Sequence, residues 1–413
     1  MNETRAAATL TAPPGEPRRA VVITALGLTQ ILAWGSSYYL PAVLAKPIAA
    51  DTGWPLSFVI GGLSLGLLAG GLVSPAVGRA IDRTGGRPVL AASSVLIAAG
   101  QALLALAHAL PVYFAAWMLM GLGMGAGLYD AAFATLGRIY GKEARSAITT
   151  LTLWGGFAST VCWPLSALLV EQLGWRSACL VYAGIQLLFS LPVHLFLMPR
   201  TPPRAPSLHA GETSGGTGRL TPREMRAFLI LAAMVTVGGA IGALFSTHLL
   251  LILQGRGLEL AAAVALGALV GPSQVGARVV EAAFGKRYHP IWTVTVAAVL
   301  VATGLSLLLF GFPIVAVALI LYAAGNGIWS IGRGSLPLAL FGPSRYAVLM
   351  GRLAMPGLLA QAVAPSVGGF LMERGGPIAA TALLAGLAAM NVVLAAVLWA
   401  AYRSGNSSSA TST

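Results

Sequence analysis

Residues 78–88 read GRAIDRTGGRP, a short charged segment that stands between two long apolar runs. The runs cover residues 56–78 and 88–109, and each is close to the length of about 20 apolar residues that a helix needs to cross a bilayer. Lipid offers no water to peptide groups, so a spanning segment of this kind must be helical. The segment at 78–88 is therefore predicted to connect two membrane-spanning helices.

This connecting segment contains both flexible and charged residues. Gly78 allows close contact with a second helix, and Gly85 allows a tight turn. Asp82, Arg83 and Arg87 form a charge cluster whose ion pairs can form and break as two halves of a protein move. The simpler interpretation is a basic loop that only fixes the orientation of the chain in the membrane.

The whole chain has the composition of a polytopic membrane protein. Of its 413 residues, 57% are hydrophobic and 9% are charged, and its mean hydropathy is +0.82. Soluble proteins are about 25% charged, so the composition excludes a soluble protein and leaves no room for an extramembrane catalytic domain. The two cysteines, Cys162 and Cys179, lie inside apolar runs and offer neither a disulfide framework nor metal-ligand spacing.

Twelve apolar runs predict twelve transmembrane helices. They lie near residues 20–44, 56–78, 88–109, 111–136, 146–170, 177–198, 226–253, 260–284, 291–310, 313–336, 346–371 and 377–402. The fold class predicted is an all-α integral membrane protein built from two pseudo-symmetric six-helix bundles. The domain division predicted is a cytoplasmic tail at 1–19, a bundle at 20–198, a polar linker rich in Pro, Gly, Ser and Thr at 199–225, a second bundle at 226–402 and a tail at 403–413.

The basic residues predict the orientation. With both termini inside, nineteen of the 25 Lys and Arg residues fall in cytoplasmic segments and only four in outside loops. Membrane insertion favours the orientation that keeps Lys and Arg in the cytoplasm. We therefore expect a multi-pass protein of the cytoplasmic (inner) membrane with both termini in the cytoplasm. The net charge of +13 is explained in this way and does not indicate nucleic-acid binding.

The two halves of the chain repeat each other weakly. Gly78-Arg79-Ala80-Ile81-Asp82 aligns with Ala277-Arg278-Val279-Val280-Glu281, and the positions of Gly156, Pro164 and Gly174 recur about 200 residues later. Duplicated bundles place a binding site at their interface near the middle of the membrane. A substrate site between the bundles is therefore predicted.

The pattern G-x-x-x-D-R-x-G-x-R at 78–87, placed after a second span, resembles the signature loop of the major facilitator superfamily. The resemblance extends to the arrangement of six plus six spans and so covers nearly the whole chain. It implies two bundles that alternate access to one central site, without a cofactor or a metal. It also implies a cytoplasmic gate, or conformational latch, to which we assign Gly78, Asp82, Arg83, Gly85, Arg87 and, through the repeat, Glu281.

Within that superfamily the chain resembles bacterial monocarboxylate-porter relatives. Gly53-Trp54 precedes span two and Gly174-Trp175-Arg176 precedes span six, as in that group. Arg278 in span eight is similar to the substrate-binding arginine of the group. Four residues earlier, however, this chain has Gln274 where the group commonly has an acid.

Four charged residues within predicted spans are candidates for function: Asp130, Arg278, Glu281 and Arg333. A charge in the bilayer centre costs about 2.5–3.5 kcal/mol on insertion scales, so each is a functional hypothesis. Asp130 is predicted either to couple transport to protons or to form a structural pair. Arg333 either pairs with Asp130, binds an anionic substrate or reaches to the cytoplasmic interface. Arg278 and Glu281 stand three residues apart and can pair on one helical face.

Uncharged polar and aromatic residues concentrate in spans one, seven and ten, three of the four helices that line the cavity in the family resembled. The predicted substrate cavity consists of Gln30, Ser37, Tyr38, Tyr39, Trp154, His248, Gln274, Arg278, Asn326, Trp329, Arg333 and Gln361. His248 is a second candidate for proton coupling because histidine titrates near neutral pH. The alternative for His248 is a hydrogen-bonded packing residue.

These observations predict a secondary active transporter for a small organic solute, such as a carboxylate or another anion, coupled to protons. The partners expected are this substrate, protons and the lipid bilayer, and the expected oligomeric state is a monomer. No phosphate-binding Gly-x-x-x-x-Gly-Lys-Ser/Thr loop occurs, so ATP drive is not expected. The alternatives are a drug or toxic-solute efflux carrier on the same fold and, more remotely, an integral-membrane enzyme.

Overall fold

The computed structural model describes residues 18–201 and 220–410, and within them it is helical with no β-strand. Most of the predicted N-terminal tail and linker, and the last three residues, lie outside the described residues. The helices are α1 (Arg19–Gly35), α2 (Pro41–Thr52), α3 (Leu56–Thr84), α4 (Gly86–Ala105), α5 (Leu110–Gly127), α6 (Tyr129–Tyr140), α7 (Ala144–Gly156), α8 (Ala158–Ile185), α9 (Pro222–Gln254), α10 (Leu260–Gly267), α11 (Val270–Phe284), α12 (Pro290–Leu309), α13 (Val315–Phe341) and α14 (Pro343–Ala410). Two π-helical segments, Gln186–Ser190 and Val193–Leu197, extend α8.

Eight helical stretches of the described chain, some of them with internal breaks, are long and apolar enough to cross a membrane. The stretch Leu110–Leu197 contains three of the predicted spans, and Pro343–Arg403 contains two. Their internal boundaries include Gly174 and Gly376, whose positive φ angles of 77° and 68° interrupt the helices. The remaining predicted span is formed by α1 and α2 together.

Four predicted spans are not the continuous helices that hydropathy suggested. The run at 20–44 is interrupted between Gly35 and Pro41, and the run at 111–136 breaks at Leu128, whose ψ of −169° is extended. The runs at 146–170 and 260–284 are interrupted at Phe157 and at residues 268–269. Hydropathy detects the length of an apolar run but not the side chains that stabilise a break, so these interruptions were missed.

The helices pack into two groups. In the first half α1 contacts α7 and α8, while α4 contacts α5 and α8; in the second half α14 contacts α9 and α12, and α12 contacts α13. Between the halves, α3 and α6 pack on α14, and α7 packs on α11 and α13. The interface between the bundles, where the repeat predicts a site, is thus formed by α3, α6 and α7 of the first half and α11, α13 and α14 of the second.

The cross-bundle contacts concentrate towards one end of the molecule. We call it the basic end, and it comprises residues 83–87, 138–145, 285–288 and 342–345. There the Arg145 guanidinium in the first bundle donates to the carbonyl oxygens of Gly285 and Tyr288 in the second, both at 2.6 Å. At the opposite end α2 packs on α3 and α8 of its own bundle. The bundles are therefore joined most closely at the basic end.

Candidate functional site

An ion pair joins the two bundles between α6 and α13. The Arg333 Nη2 atom donates to Asp130 Oδ1 at 2.6 Å, and each side chain is 19% exposed. Asp130 lies in the first turn of α6, directly after the break at Leu128, where the free N–H groups of a helix start favour a carboxylate. Of the three alternatives for Arg333, the structure shows the pair with Asp130.

Arg278 lies at the same interface but has no carboxylate partner among the bonds found for it. Its side chain is buried and donates to the Gly327 carbonyl at 3.2 Å, to Gln274 Oε1 at 3.4 Å and, across the interface, to the Thr152 carbonyl at 3.0 Å. Gly156 makes room for it, because a Cβ there would lie 2.6 Å from the Arg278 Nη1 atom. All three acceptors are neutral.

Glu281, one turn further along α11, has different partners. It accepts a bond of 2.7 Å from the Thr293 hydroxyl and lies 3.9 Å from the Arg145 guanidinium. The pair between Arg278 and Glu281 that their spacing allowed is therefore wrong. Glu281 therefore lies next to Arg145 of the basic end, whereas Arg278 bonds to Thr152, Gln274 and Gly327.

The central charges do not balance. Two guanidinium groups, Arg278 and Arg333, and one carboxylate, Asp130, lie at this level of the interface. A buried guanidinium that is offered only neutral oxygens keeps an unfavourable uncompensated charge. The centre of the interface is therefore electrostatically suited to a small anion.

Aromatic side chains form a wall beside these charges. The Trp34 ring lies 5.2 Å from Tyr38 and 5.1 Å from Tyr129, and the Tyr39 ring lies 6.1 Å from Trp163. Tyr38 and Tyr39 are both half-buried.

Gln30 links two of the broken spans of the first bundle, the one interrupted after Gly35 and the one interrupted at Leu128. Its buried amide donates to the Gly127 carbonyl at 2.6 Å, at the break before α6, and its oxygen accepts a bond of 3.3 Å from the Trp34 indole. Side-chain donors of this kind are needed wherever a helix is interrupted in lipid. The Ser37 hydroxyl, just after the end of α1, donates to the Ala33 carbonyl of α1 at 2.5 Å.

Other predicted cavity residues have their contacts inside the second bundle. Asn326 and Trp329 face a cavity of about 20 Å³ inside the second bundle, which Asn391 also lines. His248 is buried against Gly368 and bonds to the Leu244 carbonyl at 3.1 Å.

Gln361 and Trp154 also pack against neighbouring helices. Gln361 bonds to the Gly357 carbonyl at 3.3 Å and packs against Gly239 of α9. Trp154 packs against Gly27 of α1. Neither is brought to the pair of Asp130 and Arg333 by any contact of the described chain.

The signature segment lies at the crossing of α3 and α14. A Cβ on Gly78 would lie 2.5 Å from the Ala347 carbonyl, so the two backbones are in direct contact. Gly85 has a φ of +80°, which a side chain disfavours, and separates α3 from α4. Arg83 is exposed, whereas Asp82 is half-buried and Arg87 is half-buried.

Three residues of the interface were not predicted from the sequence: Tyr129, Thr152 and Arg145. Thr152 contributes its backbone carbonyl, a group that every residue has, so its residue type could not indicate this role. Tyr129 precedes Asp130 directly and could have been found from that position. No group of three or more His, Cys, Asp or Glu side chains in the described ranges is suited to a metal ion.

Comparison with known proteins agrees with this architecture. The model of the Major Facilitator Superfamily matches residues 26–337. The chain is 28% identical to human monocarboxylate transporter 11 over 359 residues, which make up 82% of this chain and 72% of that protein. It is 32% identical to rat monocarboxylate transporter 3 over 141 residues, 33% of this chain and 27% of that protein.

Two solved structures share the fold. The human organic anion transporter MFSD10 (TETRAN) superimposes with a TM-score of 0.72 at 20% identity, covering 92% of this chain and all of that chain. FucP in its outward conformation superimposes with a TM-score of 0.71 at 15% identity, covering 92% of this chain and 99% of that chain.

The protein belongs to the Major Facilitator Superfamily. The predicted fold class is confirmed by the helical structure and by these neighbours. The chain is accordingly a multi-pass membrane transporter for a small molecule and not an enzyme.

Proposed function

We propose that the protein is a secondary transporter that carries a small organic anion, such as a carboxylate, across the cytoplasmic membrane together with protons. The observation that carries this proposal is the uncompensated guanidinium of Arg278 beside the pair of Asp130 and Arg333. The printed names of the relatives, two monocarboxylate transporters and an organic anion transporter, support an anionic substrate.

Arg278 is the proposed anion-binding residue. Guanidinium presents two parallel N–H donors that match a carboxylate, and such charge-assisted bonds are stronger than bonds to neutral carbonyls. An anion that enters from the aromatic wall would replace neutral acceptors such as Gln274 Oε1, whose bond is the longest of the three at 3.4 Å. Tyr38 and Tyr39 would contact the organic part of the substrate.

Asp130 is the proposed proton acceptor. While ionised it holds Arg333 across the interface at 2.6 Å. Protonation removes the charge that attracts the guanidinium. The contact between α6 and α13, which joins the two bundles, is then weakened. Proton binding and movement of the bundles are thereby coupled through the same pair. Among the neighbours, a protein described as a fucose:proton symporter has this fold.

The state of the structure fits alternating access. If the basic end is cytoplasmic, the closed interface there corresponds to a carrier open to the outside. Transport to the inside then requires separation of Arg145 from the carbonyls of Gly285 and Tyr288, and of α3 from α14. The signature-segment residues listed above are proposed to act in that step.

The role of Asp130 is tested with Asp130→Asn. In proteoliposomes with an imposed pH gradient, the parent protein is expected to accumulate a carboxylate chosen from a panel by thermal shift. The variant cannot change charge at this position, so it is expected to exchange substrate between the two sides but to lose accumulation driven by the gradient. Accumulation that persists in Asp130→Asn would remove this residue from the coupling mechanism.

The role of Arg278 is tested with Arg278→Gln, with Arg278→Lys as the variant that keeps the charge. We expect Arg278→Gln to raise the apparent Kd for the carboxylate by about 10-fold or more, since bonds to charged groups contribute about 1.5–3 kcal/mol. Arg278→Lys should bind more tightly than Arg278→Gln. Arg333→Gln tests the alternative. If only Arg333→Gln loses binding, Arg333 is the substrate residue. If neither Arg278→Gln nor Arg333→Gln loses binding, the proposed anionic substrate is wrong.

A further inference from the structure

A line of polar side chains crosses the interior of the first bundle, behind the aromatic wall and outside the pair of Asp130 and Arg333. It joins α1, α4 and the π-helical extension of α8. All of its members are buried: Thr29, Ser36, Ser94, Gln101, Gln186, Ser190 and His194. Buried polar groups in a membrane bundle are costly, so this line requires a physical reason.

Ser36 lies at one end of this line, at the break between α1 and α2. In a continuous α-helix its carbonyl would accept the N–H of Leu40, but here the Leu40 N–H donates to the Ser37 carbonyl at 3.2 Å. The Gln101 side-chain amide donates to the Ser36 carbonyl instead. The Gln186 amide donates to the Ser36 hydroxyl at 3.0 Å. Two amides from two other elements thus hold the interrupted turn.

His194 lies at the other end and joins the same three elements. Its Nδ1 atom is 2.9 Å from the Ser94 hydroxyl of α4, and its Nε2 atom is 3.1 Å from the Thr29 hydroxyl of α1. Thr29 lies within the regular part of α1, seven residues before Ser36. This end therefore fixes the packing of the helices, whereas the glutamine end acts on the break itself.

We propose that Gln101 and Gln186 are positioning residues that hold the first span open at Ser36 and thereby set the direction of Tyr38 and Tyr39. Without the Gln101 amide the Ser36 carbonyl loses its side-chain donor, which favours recovery of the Leu40 N–H and a tighter turn, although Pro41 has no N–H to offer the Ser37 carbonyl. Each residue of an α-helix is rotated by about 100° from the one before it, so closing the turn redirects both phenols. The consequence for transport rests on the proposed function, because Tyr38 and Tyr39 are taken to contact the substrate.

The first test needs no substrate. In Tyr38→Cys, a membrane-impermeant maleimide reports the accessibility of position 38, because the native Cys162 and Cys179 are both 0% exposed. Adding Gln101→Met, which keeps the side-chain volume but removes the donor, is expected to change the labelling rate about fivefold, the factor that corresponds to one net hydrogen bond. The matched control is Ser94→Ala, which cuts the His194 end of the line and should leave the rate within about twofold.

A double-mutant cycle tests Gln186 at the same place. Gln186→Met and Ser36→Ala remove the two partners of one hydrogen bond, so their effects on the labelling rate should not add. This cycle also decides the matter if Gln101→Met does not fold. Additive effects, or unchanged labelling in the glutamine variants, would overturn the positioning role. A lower melting temperature with unchanged labelling would show a purely structural role and would also overturn it.

The second test measures transport of the carboxylate that the parent protein carries. Gln101→Met is expected to raise the apparent KM about fivefold while the maximal rate changes by less than twofold, because the phenols contact substrate and do not carry the proton. An equal loss in both parameters would contradict positioning. If no anion is transported at all, the proposed function fails, yet the labelling test still decides the role of Gln101 and Gln186.

Discussion

At the scale of single residues, the ion pair of Glu224 and Arg345 stabilises the basic end. Glu224 lies in the first turn of α9 and completes a capping box with Thr221, whose hydroxyl accepts the Glu224 N–H at 3.2 Å. Arg345, in the first turn of α14, donates to both carboxylate oxygens, one at 3.1 Å. These bonds lower the pKa of the Glu224 carboxyl below its ordinary value, with the Arg345 bond as the largest cause.

This pair predicts a dependence of stability on pH. A carboxyl with a lowered pKa in the folded state stabilises the fold above its unfolded pKa of about 4.3, and the contribution is lost as the pH falls through the folded value. We expect the melting temperature of the detergent-solubilised parent protein to fall more between pH 7 and pH 3.5 than that of Glu224→Gln. Arg176→Gln, which alters a pair at the opposite end, is the comparison variant. Equal pH profiles for the parent and Glu224→Gln would contradict the assignment.

The crossing of α3 and α14 shows what the glycines of the signature segment do at the scale of elements. Gly351 approaches as closely as Gly78, since a Cβ on it would lie 2.3 Å from the Ser74 carbonyl. The two helices therefore meet backbone to backbone, as small residues allow in membranes. The contact lies towards the basic end, so it stabilises the state in which the basic end is closed.

Gly78→Ala is predicted to disfavour the closed basic end. The new methyl group would meet the Ala347 carbonyl at 2.5 Å, and overpacking of this kind costs about 1–3 kcal/mol. The expected result is a lower melting temperature together with faster maleimide labelling of a cysteine placed at Ser74, which is buried at the crossing. Gly61→Ala in the same helix is the control, because a Cβ there meets nothing within 4 Å. Identical behaviour of the two variants would mean that the crossing does not hold the closed state.

The whole molecule has two different ends. At the basic end the bundles are joined by Arg145 and by α3 with α14, whereas at the opposite end Asp51 of α2 binds Trp175 and Arg176 of its own bundle at 3.0 and 2.8 Å. An asymmetric closure of this kind is one of the two states that alternating access requires. Its meaning for transport depends on which side of the membrane the basic end occupies.

Labelling of intact cells decides the orientation. Leu106 at the opposite end is 65% exposed, and Thr84 at the basic end is also exposed. We expect an impermeant maleimide to label Leu106→Cys in intact cells, and to label Thr84→Cys only after the membrane is permeabilised, because Lys and Arg are retained in the cytoplasm. The parent protein, with both native thiols buried, serves as the unlabelled control. The reverse pattern would place the basic end outside and reverse the proposed direction of opening.

Much of the fold could be predicted from the sequence by itself. The amount of apolar sequence and the spacing of the basic loops required about a dozen helices, since lipid excludes unpaired peptide groups. The motif at 78–87 identified the superfamily, and the charges at Asp130, Arg278 and Arg333 marked the interface because charge is otherwise excluded from lipid. These signals depend only on composition or on short stretches of sequence, so they can be found without knowing which distant residues meet.

The partners of those charges were decided only by the tertiary structure. Arg333 meets Asp130 from about 200 residues away, Arg278 binds backbone carbonyls that no residue type reveals, and Glu281 turns away from Arg278. The same is true of the side-chain donors at the break beside Ser36, since Gln101 and Gln186 come from two other elements. Hydropathy measures how each residue partitions between water and lipid, whereas hydrogen bonds depend on which atoms meet, and only the packing of distant helices determines that.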